Sequence, residues 1–185
     1  MTSAITLAKW TLEQYHQMIA AGILDDRRVE LLHGEIIEMA PEGEPHAFYS
    51  RTNAKYLEQL LGDRAEVLQG KPITIPATQS EPEPDIAVVQ PLAREYLQHH
   101  PYPENIFWLI EYANTSLQKD TNPKAQAYAA GGIPDYWVVN LKKMELMVMR
   151  HPQQNQYTSQ TTLTAGTIAP LAFPDLTIAV NRLLD

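Results

Sequence analysis

The order of apolar and polar positions along the chain predicts an alternation of short strands and helices. Thr11, followed three residues later by Gln14, opens a helix that reaches about Ala21, and Gly22 ends it. Arg28–Leu32 and Glu35–Met39 then read as two short strands around His33-Gly34, a hairpin signal in which Gly34 supplies the positive φ. A proline-bearing loop from Ala40 to Pro45 precedes a helix over His46–Leu61, with Phe48, Leu57, Leu60 and Leu61 for its buried side. Val67–Ile75 reads as a strand broken by Gly70 and Pro72, and Thr78–Pro84 as an exposed loop. A second apolar strand begins at Asp85 and runs through Val89. Pro91–Glu104 forms an acidic, His-bearing connection.

Ile106–Tyr112 is the central strand, a run of apolar residues suited to burial on both faces. A helix over Lys124–Ala130 stops at Gly131-Gly132, and strands follow at Tyr136–Leu141, Glu145–Arg150 and Tyr157–Leu163. Strands at both ends and one strand–helix–strand crossover between them imply a mixed sheet with a few covering helices, an α/β (α+β) fold in a single domain over residues 1–185.

Within that frame two carboxylates stand out. Glu111 follows Phe107-Trp108-Leu109-Ile110, where a buried charge is costly unless it is paired, metal-bound or at a cleft. Asp85 heads the neighbouring apolar strand; taken alone it would more often cap a loop or pair with an arginine. Acids on adjacent strands supply the hard oxygen ligands that Mg²⁺ or Mn²⁺ takes, with Lys124 placed to orient a water or offset charge developing on a phosphate. A lysine in the first turn of a helix is otherwise a solvated residue. Gln126 and Tyr128 would line the same approach or simply pack. Of the six histidines, His33 at a hairpin tip reads as exposed, and His99-His100 and His151 as loop residues without zinc spacing. His46, opening a helix after a loop, is the one placed to approach the strand ends.

Bulk properties narrow the classes. The 185-residue chain carries no cysteine, so disulfides and thiolate metal sites are excluded, in keeping with the cytoplasm. Neither a membrane-length apolar run nor a leader pattern is present. A net charge of −8 argues against a broad nucleic-acid surface, though not against a small metal-neutralised site. Walker, dinucleotide-binding, HExxH and nucleophile-elbow patterns are all missing.

Four stretches in order, VELLHGEIIEMAPEGEPH, EPDIAVV, LIEYANTS and DTNPKAQAYAAGGIPDYWVVN, with APLAFPDLTIAV closing the chain, resemble the signature of the Uma2 family (DUF820), abundant in cyanobacteria. The resemblance implies a restriction-endonuclease-like PD-(D/E)XK fold: a mixed central sheet flanked by helices, with additional N-terminal and C-terminal antiparallel strands. It places Asp85 and Glu111 at the two acidic positions that hold metal, and assigns the lysine to Lys124, because position 113 is Ala113. Glu30 and His46 match further signature positions and stand as accessory residues. Asn140, Asp175 and Tyr112-Ala113 depart from the family's usual residues without removing a metal ligand. The implied activity is Mg²⁺- or Mn²⁺-dependent endonucleolytic hydrolysis of nucleic acid, DNA before RNA. Cutting both strands of a duplex suits a homodimer, and Met144–Met149 reads equally as its apolar interface or as an ordinary buried strand. The alternatives are an inactive nuclease-fold binding or regulatory module, and a hydrolase of small phosphorylated metabolites.

Overall fold

A six-stranded sheet organises the computed structural model, which describes residues 7–185; the first six residues of the stretch read for a leader lie outside it. In chain order the elements are α1 (Leu12–Ala20), β1 (Val29–Leu32), β2 (Glu35–Glu38), α2 (Glu44–Leu61), β3 (Glu66–Gln69), β4 (Ile86–Val89) and β5 (Ile106–Ala113). There follow α3 (Leu117–Lys119), α4 (Ala125–Ala130), β6 (Asp135–Asn140), β7 (Glu145–Gln153), β8 (Gln156–Leu163), β9 (Thr167–Ile168), β10 (Ile178–Ala179) and α5 (Val180–Leu184). The large sheet has the order β3-β4-β5-β6-β7-β8, while β1-β2 and β9-β10 form small antiparallel pairs. Only β5 and β6 run parallel, joined by the crossover through α3 and α4, and the other neighbours are antiparallel.

Side chains alternate across the pleat, so the strands divide their apolar residues between two cores. Ile86, Val88, Trp108, Ile110, Tyr112, Trp137 and Val139 face α2 and α5, packing with Leu57, Leu61 and Leu183. Ala87, Val89, Leu109, Ala113, Tyr136 and Val138 face the other way, packing with Leu32, Ile73, Ile75 and Tyr128. Glu111 shares the parity of Leu109 and Ala113, which aims it at the α4 side.

The helix at Thr11 forms with the expected capping box, Thr11 and Gln14 exchanging hydrogen bonds. The hairpin turn holds positive φ at both His33 (52°) and Gly34 (73°), as a two-residue turn between right-twisted strands requires. A Cβ at position 34 would also sit 2.9 Å from the Trp10 carbonyl oxygen.

Several expectations are corrected. The strand expected over Val67–Ile75 covers Glu66–Gln69 only, because Gly70 turns the chain at positive φ and Pro72 carries no amide for a ladder. Thr78–Pro84 is not an exposed loop: Ser80, Glu81 and Pro82 are buried under β1, with Glu81 bridging to Leu31. Phe48 lies on the outer side of α2 and is exposed. The Met144–Met149 segment enters β7, where Leu146, Val148 and Met149 are buried as in an ordinary interior strand, while Met144 is exposed. No helix among the described residues is long and apolar enough to cross a membrane.

Candidate active site

Asp85 stands immediately before β4, and Ile86 pairs with Ile110 in the antiparallel register. One step beyond that pair, Asp85 meets Glu111: the Asp85 amide donates to Glu111 Oε2 at 3.4 Å. Asp85 Oδ2 in turn accepts from the Tyr112 amide at 2.6 Å and from His46 Nε2 at 2.9 Å. The two acids therefore arrive together through sheet register, at the rim where the antiparallel pair ends. His46 comes from the first turn of α2 and reaches over the strand ends.

Lys124 is placed by an irregular stretch of the crossover. Asp120–Lys124 forms a π-turn between α3 and α4, with Pro123 inside it. Proline has no amide to continue an α-helical ladder, so a widened turn is the local solution. The turn drives Lys124 inward rather than to solvent, leaving it only 2% exposed. Its ammonium donates to Glu111 Oε1 at 2.8 Å and lies 3.4 Å from Glu30 Oε2. Tyr128, one turn further along α4, donates its hydroxyl to the same Glu111 Oε1 at 2.8 Å. Gln126 points to solvent, away from this constellation.

Glu30 sits on β1, fully buried, held by Lys119 Nζ at 2.9 Å and by the Glu83 amide. His33 is not the free surface residue its hairpin position suggests. Its Nε2 lies 2.8 Å from the Pro123 carbonyl oxygen, so the β1–β2 turn clamps the π-turn that carries Lys124. Sequence reasoning also passed over Asp120, Ser116 and Lys119. All three line the same cavity of about 270 Å³ as Asp85, Glu111, Lys124 and His46. A signal was present in the spacing: Ser116 and Asp120 are four residues apart, as are Asp120 and Lys124, which puts each pair on one helical face.

Electrostatics in the cavity follow from burial and an excess of carboxylates over ammonium groups. Burial pushes Glu111 up to about 8; the Lys124 charge opposes this, and the Asp85 and Asp120 carboxylates add to it. Burial alone would lower Lys124, yet Glu111, Glu30, Asp120 and Asp85 outweigh it and hold the ammonium protonated. Glu30 goes the other way: despite its burial, Lys124 and Lys119 bring it below the usual carboxylate range. Burial raises Asp120, with Lys124 and the Ser116 hydroxyl working against the rise. His46 is raised, since the Asp85 bond and charge overcome its burial.

Among the described residues no set of three or more His, Cys, Asp or Glu side chains is arranged to hold a metal ion. That excludes a closed structural zinc centre made from such side chains. Two adjacent carboxylates opening on a polar cavity do suit Mg²⁺ or Mn²⁺, which keep several waters and bind through one or two carboxylates plus substrate phosphate. The surplus of acid in the cavity is the charge such an ion would offset.

Sheet order, crossover and site together define a mixed α/β protein of restriction-endonuclease-like architecture. The chain belongs to the Uma2 family, whose model, described as "Putative restriction endonuclease", matches residues 12–181. Five solved chains match the structure. Among them is the "Crystal structure of a putative nuclease belonging to DUF820 from Anabaena variabilis ATCC 29413", with a TM-score of 0.70 at 14% identity over 94% of this chain and 97% of that one. At that identity the likeness establishes the fold. No curated protein matches the sequence.

Proposed function

We propose that the protein is a Mg²⁺- or Mn²⁺-dependent endonuclease that hydrolyses phosphodiester bonds of nucleic acid. The observation that carries this reading is the triad of Asp85, Glu111 and the buried Lys124, brought together at one sheet rim and open to a polar cavity. Membership of a family whose model is described as "Putative restriction endonuclease" supports the substrate class.

Asp85 and Glu111 would hold the cation, which when bound supplies Lewis-acid polarisation of the phosphate and lowers the pKa of a bound water. The protein's own groups do the rest. His46 fixes the Asp85 carboxylate through Oδ2, and Tyr128 and Lys124 fix Glu111 through Oε1, so both acids keep their orientation without a ligand. Lys124, held protonated, is suited to stabilise negative charge developing on the phosphoryl oxygens, where a preorganised donor in a dry site is most effective. Glu30 sits behind Lys124 and Lys119 and keeps both ammonium groups in place.

The acidic net charge of −8 favours one competitor, a nuclease fold retained as a binding module without turnover. Calorimetric titration with Mn²⁺ separates the two at the first step. The nuclease reading expects saturable binding that Asp85→Ala abolishes, with unchanged thermal unfolding of the variant's remaining fold. Binding that is absent, or unaffected by Asp85→Ala, would count against it.

A further inference from the structure

The groups around Glu111 leave one task unassigned, which is taking the proton from the attacking water. Lys124 is bonded to Glu111 and held protonated among carboxylates, so it is a donor. Tyr128 spends its hydroxyl on Glu111, Lys119 its ammonium on Glu30, and His46 its Nε2 on Asp85. We propose that Asp120 is the general base of the hydrolysis, a role that rests on the phosphodiesterase reading of the same cavity.

Several features of Asp120 support this. Its side chain is 2% exposed yet lines the cavity with Asp85 and Glu111. Ser116 Oγ donates to Oδ2 at 2.6 Å and fixes the carboxylate plane. Oδ1 takes no hydrogen bond from a described residue, and the carboxylate lines the cavity. The backbone is fixed as well, since the Asp120 amide donates to the Ser116 carbonyl and the Asp120 carbonyl accepts from the Tyr136 hydroxyl at 3.0 Å. No cation lies within ion-pair distance of the carboxylate among the described residues, in contrast to Glu30 and Glu111. The charged and titratable groups that act on it are Lys119 and Lys124 on its own segment, Asp85 before β4, Glu111 on β5 and Tyr136 on β6; burial raises its basicity, the direction a proton acceptor needs.

In the step itself, water gives a proton to Asp120 Oδ1 while its oxygen forms the new bond to phosphorus. The scissile P–O bond breaks, the departing ribose oxygen takes a proton from solvent, and Asp120 returns its proton to water. Atoms and charge balance without a further co-reactant.

The test compares wild type, Asp120→Asn, Asp120→Glu and Ser116→Ala on a labelled oligonucleotide with Mn²⁺, across pH. Asp120→Asn should lose about 10²–10⁴-fold in kcat with KM little changed, the range for positioned general bases. Its remaining rate should rise tenfold per pH unit, hydroxide replacing the base. Calorimetric Mn²⁺ affinity should stay within a few fold of wild type. Asp120→Glu should recover at least tenfold over Asp120→Asn, and Ser116→Ala should lose rate while retaining a wild-type-like pH profile. Unchanged kcat in Asp120→Asn would overturn the assignment while leaving the nuclease reading intact. A matching fall in Mn²⁺ affinity would also overturn it, making Asp120 a metal-holding group. If Asp120→Asn fails to fold, the same decision falls to Asp120→Glu and Ser116→Ala: wild-type rates in both would overturn it. A wild type that cleaves no phosphodiester would overturn both readings together.

Discussion

At the residue scale the site turns on a buried lysine. Lys124 sits between Glu111 and Glu30; it opens a helix and looks solvated in sequence, and although Glu111 was read as its neighbour, the pairing with Glu30 was not readable. Glu111 was legible because a carboxylate after four apolar residues must have a partner or a function. Asp120 was not, because its burial depends on a π-turn that no local propensity announces. Removing one member of a buried ionic set leaves the others uncompensated, typically at about 3–5 kcal/mol. Lys124→Ala is therefore expected to lower the urea midpoint substantially as well as abolish cleavage. Equilibrium unfolding beside Gln126→Ala, an exposed neighbour, checks this, and equal midpoints would refute the buried pairing. Glu30 gives a pH signature. Its folded pKa lies below the ordinary value of 4.5, so its stabilisation is complete above that value and lost as pH falls through the folded one. Glu30→Gln should accordingly unfold more readily than wild type at pH 6–7, with the gap closing toward pH 3.

At the scale of elements, the strands of the large sheet, the extent of β3 aside, and both longer helices were legible from apolar runs, capping residues and glycines. What escaped were contacts between distant segments. Thr78–Pro84 looks polar in sequence, yet Ser80 and Glu81 are buried because the His33 amide, His16 and Thr74 supply partners from elsewhere. The same holds for the His33 clamp on Pro123, which links the N-terminal hairpin to the crossover across 90 residues. One such hydrogen bond contributes about 1 kcal/mol. His33→Ala should therefore cost only about that much stability while reducing kcat disproportionately, since it frees the turn that holds Lys124 and Asp120. Paired unfolding and steady-state measurements decide the matter; a kcat that falls no more than stability requires would place His33 in the scaffold alone.

For the whole molecule, the mixed sheet with its single parallel crossover was legible, whereas the chain's assembly was not. The apolar segment suggested as an interface is an interior strand. On the proposed nuclease reading, a net charge of −8 would leave a cavity metal and a few cations to meet the phosphates. Nucleic-acid binding should therefore show a shallow salt dependence, with log K falling by about 0.9 per phosphate neutralised and only a few phosphates counted. A slope as steep as that of a protein making 6–10 phosphate contacts would contradict this and point to a broad basic surface meeting the nucleic acid.

The central claim is that Asp85 and Glu111 support metal-dependent cleavage, and the most direct measurement is relaxation and nicking of supercoiled DNA by wild type and Glu111→Gln, with Mg²⁺, Mn²⁺ or chelator. Wild type should cleave with either ion and not in chelator, and Glu111→Gln should not cleave under any condition. Cleavage by Glu111→Gln at the wild-type rate, or wild-type cleavage undiminished by chelator, would contradict it.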